Sequence, residues 1–482
     1  MLRSCGLGAA MIDIAGGGAV QFPHARATCK ANARCAKHAA KLSMKTFTIK
    51  SFEAPLSEGW DVIVAGGGPA GCASAIAAAR AGAKTLLIEK TAALGGMGTL
   101  GLVPAWCPFS DGVRIIYQGI AERVLRATMN GMPHLKPDQV NWTAIDPERL
   151  KAVYDDFVIE SGAKVRFETS ICGIDKDGGG NIAAIFGASK RGIEAFQAKV
   201  FVDCTGDADL AAWAGAPFEK GGAGGALQAA THCFVLSNVN LYGYEYQNTA
   251  MMVYSQMKRI AEEGKYPLIT DGHACNSPIG AGLVGFNTGH IWGVDNTDPD
   301  SVSAAVIHGR KQAAQFRDAL AENFPKAFAG AWLAQTGALL GIRETRRIVG
   351  DYVLTRDDYM ARASFPDEVL RNNYYVDVHQ SEREKASGKK YEECRYGNGE
   401  SHGVPYRCLI PKTLRNVLVA GRSISTDRPV QGSTRVMPVC LAQGEAAGTA
   451  AAMAAAKTGD VRADVCANAL REDLRAHGAY LP

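Results

Sequence analysis

The sequence predicts an α/β fold built on a doubly wound parallel sheet, and three observations lead there. In DVIVAGGGPAGCASAIAAARAGAKTLLIEK, residues 61–90, four strand-type apolar residues at 62–65 run directly into a glycine turn at 66–71. An Ala-rich helical run follows and stops at Gly82, a residue suited to the position just past a helix C-terminus. A second apolar strand at 85–88 then ends on Glu89, completing a βαβ unit. At 482 residues the chain also exceeds what one hydrophobic core usually holds, so a second domain is expected.

The turn has the residues a dinucleotide needs. Gly66 permits the sharp turn, Gly68 lets the backbone approach a pyrophosphate, and Gly71 lets helix and strand pack closely. Pro69 and Ala70 open a helix whose N-terminus faces the phosphates. Glu89, with Lys90 beside it, stands where a carboxylate receives the two ribose hydroxyls. A GxGxxG alone is weak, but strand before, helix after and acid at this distance make a dinucleotide site.

Composition narrows the class. The apolar share of 47% and charged share of 21% are those of a globular protein. A net charge of +4 without a long basic run favours no nucleic-acid partner, and no run of about eighteen apolar residues could span a bilayer. The thirteen cysteines are scattered without any CxxC, so no iron–sulfur or zinc framework is expected and no metal is assigned. Reduced thiols in a cytoplasmic protein are the expectation. Residues 1–43, rich in Lys and Arg against the single acid Asp13, show no sustained period and are expected to be a disordered extension.

Past the βαβ unit, ALGGMGTLG at 93–101 is a second glycine cluster. It reads either as a surface loop or as a backbone wrap bringing Gly95, Gly96, Met97 and Thr99 along the pyrophosphate towards a flavin ring. Residues 146–163 are a legible helix: Asp146 as N-cap, Pro147 at its first position, Gly162 past its end, and Leu150, Val153, Tyr154, Phe157 and Val158 on one face. KVRFETSICGID then reads as a strand that brings Ile171 to the adenine, and a β excursion of two or three strands follows. The excursion returns as a parallel strand at 199–204, ending on Thr205, Gly206 and Asp207 at the carboxyl edge of the sheet, where ligands sit.

Residues 210–400 differ in character. GIRETRRIVGDYVLT at 341–355 reads as a strand with Arg343, Thr345 and Arg347 on one face and Glu344 and Arg346 on the other. Cations this dense beside apolar residues need carboxylate partners or an anionic ligand. Asp377 and His379 share a face, with His379 either a proton carrier or a satisfied structural group. The polar run at 380–399 is expected to be an exposed loop. In the closing unit a buried strand at 416–420 stops at Gly421 and Arg422, and a helix from about 436 to 457 carries Gly444, Ala447, Gly448 and Ala451 as a nearly bare stripe. Such a stripe suits close packing on a sheet or cofactor, and the helix start at Arg435, Val436 and Met437 suits a group that becomes anionic, as a reduced flavin does.

With GGGPAG, TGDAD, GIRETRR, VAGR and GSTRVMP in this order, the chain resembles FAD-dependent oxidoreductases related to fumarate reductase flavoproteins and the flavin subunit of heterodisulfide reductase. The resemblance spans most of 61–456. It implies a Rossmann-like FAD-binding domain of the glutathione reductase type, formed by 55–235 and 401–482, with an inserted α+β substrate or cap domain at 236–400. Gly66, Gly68, Gly71 and Glu89 would hold the ADP half, and 95–99 the diphosphate and ribityl chain. Gly206 and Asp207 would meet the adenosine, and Gly421, Arg422, Arg435, Val436 and Met437 the flavin. No His lies between Glu89 and Cys107, so noncovalent FAD is expected.

The expected activity is hydride transfer between flavin N5 and a small polar metabolite, with Arg343 and Arg346 orienting it and His379 or an arginine moving the proton. The alternatives are an electron-transfer subunit with a redox protein partner and a flavin monooxygenase. Beyond the small-molecule substrate, the partner expected is a second copy of the chain, in a homo-oligomer, or a redox protein.

Overall fold

The computed structural model describes residues 53–246, 249–388 and 394–482, all but Glu53 belonging to one compact unit, Ala54–Pro482. The extension expected at 1–43 lies outside the described residues.

The expected βαβ unit is present. Strand β1 (Leu56–Ala65) buries Val62, Ile63, Val64 and Ala65 completely, as a central parallel strand does. Helix α1 (Pro69–Arg80) opens on Pro69 and ends at Ala81, with Gly82 at φ +88° turning the chain into β2 (Thr85–Ile88), which pairs with β1 in parallel. Helices α2 (Ile120–Met129) and α3 (Pro147–Glu160) follow. Asp146 caps α3 as the sequence predicts, its carboxylate accepting from the Glu148 and Arg149 amides. Leu150, Val153, Tyr154 and Val158 go inside, while Phe157 stays half-buried.

KVRFETSICGID is two strands, where one continuous strand is expected from the sequence. β3 (Lys164–Arg166) extends the parallel sheet beside β2, then the chain turns through Glu168 at φ +49°. β4 (Ser170–Lys176) starts an antiparallel meander with β5 (Ile182–Ser189) and β6 (Gly192–Asp203). The break is where the Glu168 and Thr169 amides bond back to the carbonyls of Thr91 and Glu89. The second half of β6 returns parallel to β1, matching Val62 with Val200.

Helix α4 (Asp209–Trp213) and β7 (Phe218–Lys220) lead to a second sheet. It is built from β8 (Phe234–Ser237), helices α5 (Leu241–Tyr246) and α6 (Thr249–Glu263), β9 (Ala274–Gly280), β10 (Leu283–Thr288), helices α7 (Pro299–Asn323) and α8 (Pro325–Phe328), and β11 (Trp332–Thr336). Its antiparallel order is β11-β8-β10-β9, over a core of its own that includes Phe234, Phe286, Phe316 and Phe328. Phe234 and Phe286 stack with centroids 4.9 Å apart.

The block at 341–355 is mostly irregular. Only β12 (Arg346–Ile348) is a strand, paired with β7. Arg347 bonds to Glu344, which the expected alternation put on the opposite face. Five consecutive polar side chains, each needing a buried partner in a different direction, outweigh regular pleating. Helix α9 (Arg356–Met360), β13 (Glu368–Asn372), α10 (Glu382–Ala386) and β14 (His402–Pro405) follow, with β13 and β14 paired. Helix α10 corrects the loop expected at 380–399. Ser381 and Glu384 form a reciprocal capping box, a pattern present in the sequence as SERE, and Glu384 is buried against Arg428.

β15 (Val417–Val419) joins the main sheet parallel to the end of β6. Helices α11 (Arg428–Thr434), α12 (Met437–Ala455) and α13 (Ala467–Ala476) complete the chain. The bare stripe of α12 packs on helix α1, where the sequence pointed to a sheet or cofactor; the close approach is as expected and the partner is not. A Cβ on Gly444 would stand 2.1 Å from the Ala70 carbonyl oxygen, and one on Gly448 would stand 2.1 Å from that of Ser74. Among the described residues no helix is long and apolar enough to cross a membrane.

Candidate functional site

A cavity of about 1450 Å³ runs from the carboxyl ends of β1, β2 and β6 to the second sheet, where Ala274, Cys275 and Asn287 line it. That exceeds the roughly 300–1000 Å³ of a pocket for one drug-sized ligand.

One end is made of backbone. Gly66, at φ +98°, turns the chain out of β1, and Gly71 must lack a side chain because its Cβ would lie 1.7 Å from the Gly66 carbonyl oxygen. Gly66, Gly68, Pro69 and Ala70 line the cavity, and a Cβ on Gly68 would meet nothing within 4 Å. The N-terminus of α1 carries no side-chain cap and no acid in its first turn, so its amides remain for a ligand. The second glycine cluster folds onto this turn through the Gly95 amide and the Gly67 carbonyl, 2.8 Å apart. Gly96 and Met97 thereby reach the cavity wall. Gly71, Gly95 and Thr99 lie behind that wall, the Thr99 hydroxyl donating to the Leu94 carbonyl at 2.6 Å.

Glu89 braces the same turn. Its Oε2 accepts from the Gly67 amide at 2.6 Å and its Oε1 from the Thr91 hydroxyl at 2.7 Å. Lys90, Ile171, Thr205, Gly206 and Asp207 line the cavity nearby, as does Arg422, which lies over Gly206 and pairs with Asp207 at 2.9 Å. Burial works against the Asp207 charge, but Arg422 and the hydrogen bonds from Thr345 and Asn296 hold its carboxyl below the usual range. Gly421, Arg435, Val436 and Met437 line the cavity where the uncapped N-terminus of α12 meets it. The Nε atoms of Arg422 and Arg435 are buried and find no hydrogen-bond partner among the described residues.

The other end is made of side chains. Arg343 is buried, donating to the Ala229 carbonyl at 2.6 Å and the Thr231 hydroxyl at 3.0 Å, with Nη2 3.4 Å from a His273 ring nitrogen. Among the described residues no carboxylate lies within ion-pair distance of it. Burial, and then the Arg435 charge, lower it to about 10. Arg346 does not reach the cavity wall; it pairs with Asp209 at 2.7 Å and donates to the Asp207 carbonyl.

His379 lines the cavity with Asp377 at 3.3 Å, as their expected shared face requires. Burial and the Arg343 charge lower His379 to about 3, so it is neutral near pH 7. Asp377 is held well below the usual range: burial opposes its charge, but His379, Arg435 and Arg343 overcome that.

Three further groups were not identified from the sequence. His290 bonds to Asp271 through Nδ1 at 3.0 Å and to His379 through Nε2 at 2.7 Å. His273 stacks on His290, ring centroids 4.5 Å apart. Each stands in a loop outside any motif, so only the fold brings them together.

A family model described as FAD dependent oxidoreductase matches residues 61–474. No curated protein matches significantly. Among solved structures, a geranylgeranyl bacteriochlorophyll reductase-like protein from Thermoplasma acidophilum is 13% identical, covering 88% of this chain and 83% of its own at a TM-score of 0.39. An anhydrotetracycline hydroxylase from Streptomyces rimosus is 13% identical, covering 86% and 65% at 0.40. A flavin-dependent brominase is 12% identical, covering 86% and 83% at 0.42.

The residues fit FAD on their own chemistry. The uncapped α1 amides and the open face of Gly68 suit a pyrophosphate, and the unpaired guanidinium nitrogens beside the α12 N-terminus suit an electron-rich ring.

Proposed function

The chain belongs to the FAD-dependent oxidoreductase family, and from that premise we propose that this enzyme transfers a hydride between FAD and a small anionic metabolite at the histidine–arginine end of the cavity. Bound FAD supplies the hydride acceptor or donor. Arg343 carries the reading: a buried guanidinium on the cavity wall without a carboxylate partner is costly unless an anion joins it.

In this reading Gly66, Gly68 and Ala70 hold the pyrophosphate, with Gly71 behind them letting the helix close on the turn, Glu89 the ribose, and Ile171 with 205–207 the adenosine. Arg435, Val436 and Met437 meet the flavin. Arg343 and Arg435 orient the substrate anion, and the histidine cluster, through His379, manages the proton that accompanies the hydride. Residues 55–235 and 401–482 form the cofactor domain, of the glutathione reductase type, and 236–400 cover the substrate. The relation to fumarate reductase flavoproteins belongs to the same proposal.

The test is anaerobic. Candidate hydroxy acids are mixed with the purified yellow protein, and loss of the visible flavin absorbance is followed. A small carboxylate that reduces the flavin, with saturation lost in Arg343→Gln while flavin content is kept, is the expected result. Reduction by uncharged analogues alone, unaffected by Arg343→Gln, overturns it.

A further inference from the structure

Three imidazoles from three separate loops meet at the far end of the cavity. One nitrogen from each of His273, His290 and His379 lies within 4.8 Å of the others. Two of the rings have carboxylates behind them. Asp271 is 3.0 Å from Nδ1 of His290, and Asp377 is 3.3 Å from Nε2 of His379. These orient the rings so that Nε2 of His290 and Nδ1 of His379 face each other at 2.7 Å.

Counting protons exposes a mismatch. The three contacts Asp271–His290, His290–His379 and His379–Asp377 need one proton each. Two neutral imidazoles carry two. If both outer nitrogens donate to their carboxylates, the inner pair faces lone pair to lone pair. A shared proton resolves this at 2.7 Å, and so does a metal ion once the two nitrogens part to about 3.3 Å. What favours the metal is a third imidazole nitrogen within 4.8 Å and a carboxylate behind each of two rings, the way metal-binding histidines are oriented.

We propose that His273, His290 and His379 form a site for a divalent first-row transition metal, held by three imidazole nitrogens, with Asp271 and Asp377 as orienting partners and one coordination position open to the cavity. His273 completes the set by rotation of its stacked ring about χ2. The two carboxylates offset the metal's charge beside Arg343. Three protein ligands with an open fourth position is the arrangement of catalytic rather than structural zinc. The open position takes the hydroxyl oxygen of the anionic substrate, and the metal acidifies that hydroxyl so that its proton passes to water in the cavity as the hydride leaves the carbon for the flavin. This rests on the reading above, with the cluster managing the proton as a ligand set.

Zinc is the probe, because an imidazole site that takes Fe²⁺, Mn²⁺ or Co²⁺ binds Zn²⁺ more tightly than Fe²⁺ or Mn²⁺ and comparably to Co²⁺. The full chain, flavin retained, is stripped with chelator and titrated with Zn²⁺ by calorimetry, flavin content being read in the same samples. The expected result is one saturable equivalent, abolished in His290→Gln and His273→Gln, and about 10–100-fold weaker in Asp271→Asn. Should the histidine variants lose flavin and fold, X-ray absorption on the zinc-loaded parent decides: three imidazole nitrogens at about 2.0–2.1 Å support the site. No saturable Zn²⁺, or binding unchanged in the variants, or fewer than two imidazoles at the zinc, overturns it. Flavin bound without metal refutes this site alone; absent flavin refutes the reading beneath it.

Discussion

The two ends of the cavity are built by opposite means. The glycine end is a local object: one turn, one helix start and one second-strand acid within thirty positions of each other, shaped by missing side chains. The histidine–arginine end is assembled from distant loops. Its His290 and His379 lie 89 positions apart, and Asp271 lies 19 before His290. A backbone cradle suits a constant ligand, whereas a side-chain cluster can change with the substrate. The contrast makes separable predictions, since one end should fail by sterics and the other by charge.

The largest effect is expected at Gly71. A Cβ there would sit 1.7 Å from the Gly66 oxygen, so Gly71→Ala must displace the turn or the helix. The variant is expected to lose its flavin and more than about 3 kcal/mol of stability. Flavin content and melting temperature report both, and a yellow protein with an unchanged midpoint would show that the turn is not set by this contact.

Acid is expected to act away from both ends of the cavity, in the core behind it. His402, buried in β14, is lowered to about 3 by burial and then by the Arg371 charge. A base lowered in the folded state is neutral there and protonated when unfolded, so its stabilisation is complete above about 6.5 and is lost as pH falls towards 3. Between pH 7 and pH 4.5 this amounts to about 3 kcal/mol. Denaturant unfolding of His402→Gln at the two pH values should show a pH dependence smaller by that amount, and equal dependence in parent and variant would remove His402 as the cause.

Arg343→Gln sharpens the comparison within the cavity. It should lower kcat/KM for the anionic substrate about 100-fold, mostly through KM, without changing flavin content. Loss of flavin together with turnover would mean that the two ends are not independent.

Legibility in the sequence follows the same division. The glycine turn, the α3 cap at Asp146 and the α12 stripe were readable because each is a short pattern with one physical solution. The split at Glu168 and the irregular 341–355 block were not, because long-range partners such as the Thr91 and Glu89 carbonyls and Asp207 decide them. His379 could be singled out beside Asp377. His273 and His290 could not, since a histidine outside a motif carries no local sign of what it will face.

The smallest effect distinguishes two arginines that the sequence treats alike. Arg343 and Arg346 stand three positions apart, yet one lies on the cavity wall and the other is held by Asp209 outside it. The Asp209 side chain is 29% exposed, so water can solvate its carboxylate once the partner is removed. Arg346→Gln should therefore cost only about 1 kcal/mol of stability, the order of a partly exposed pair. It should leave the KM for the anionic substrate where it was, whereas Arg343→Gln moves it. Steady-state kinetics on the two variants side by side measure this, and an equal rise in KM for both would mean that the substrate reads the whole arginine block and not the single buried guanidinium.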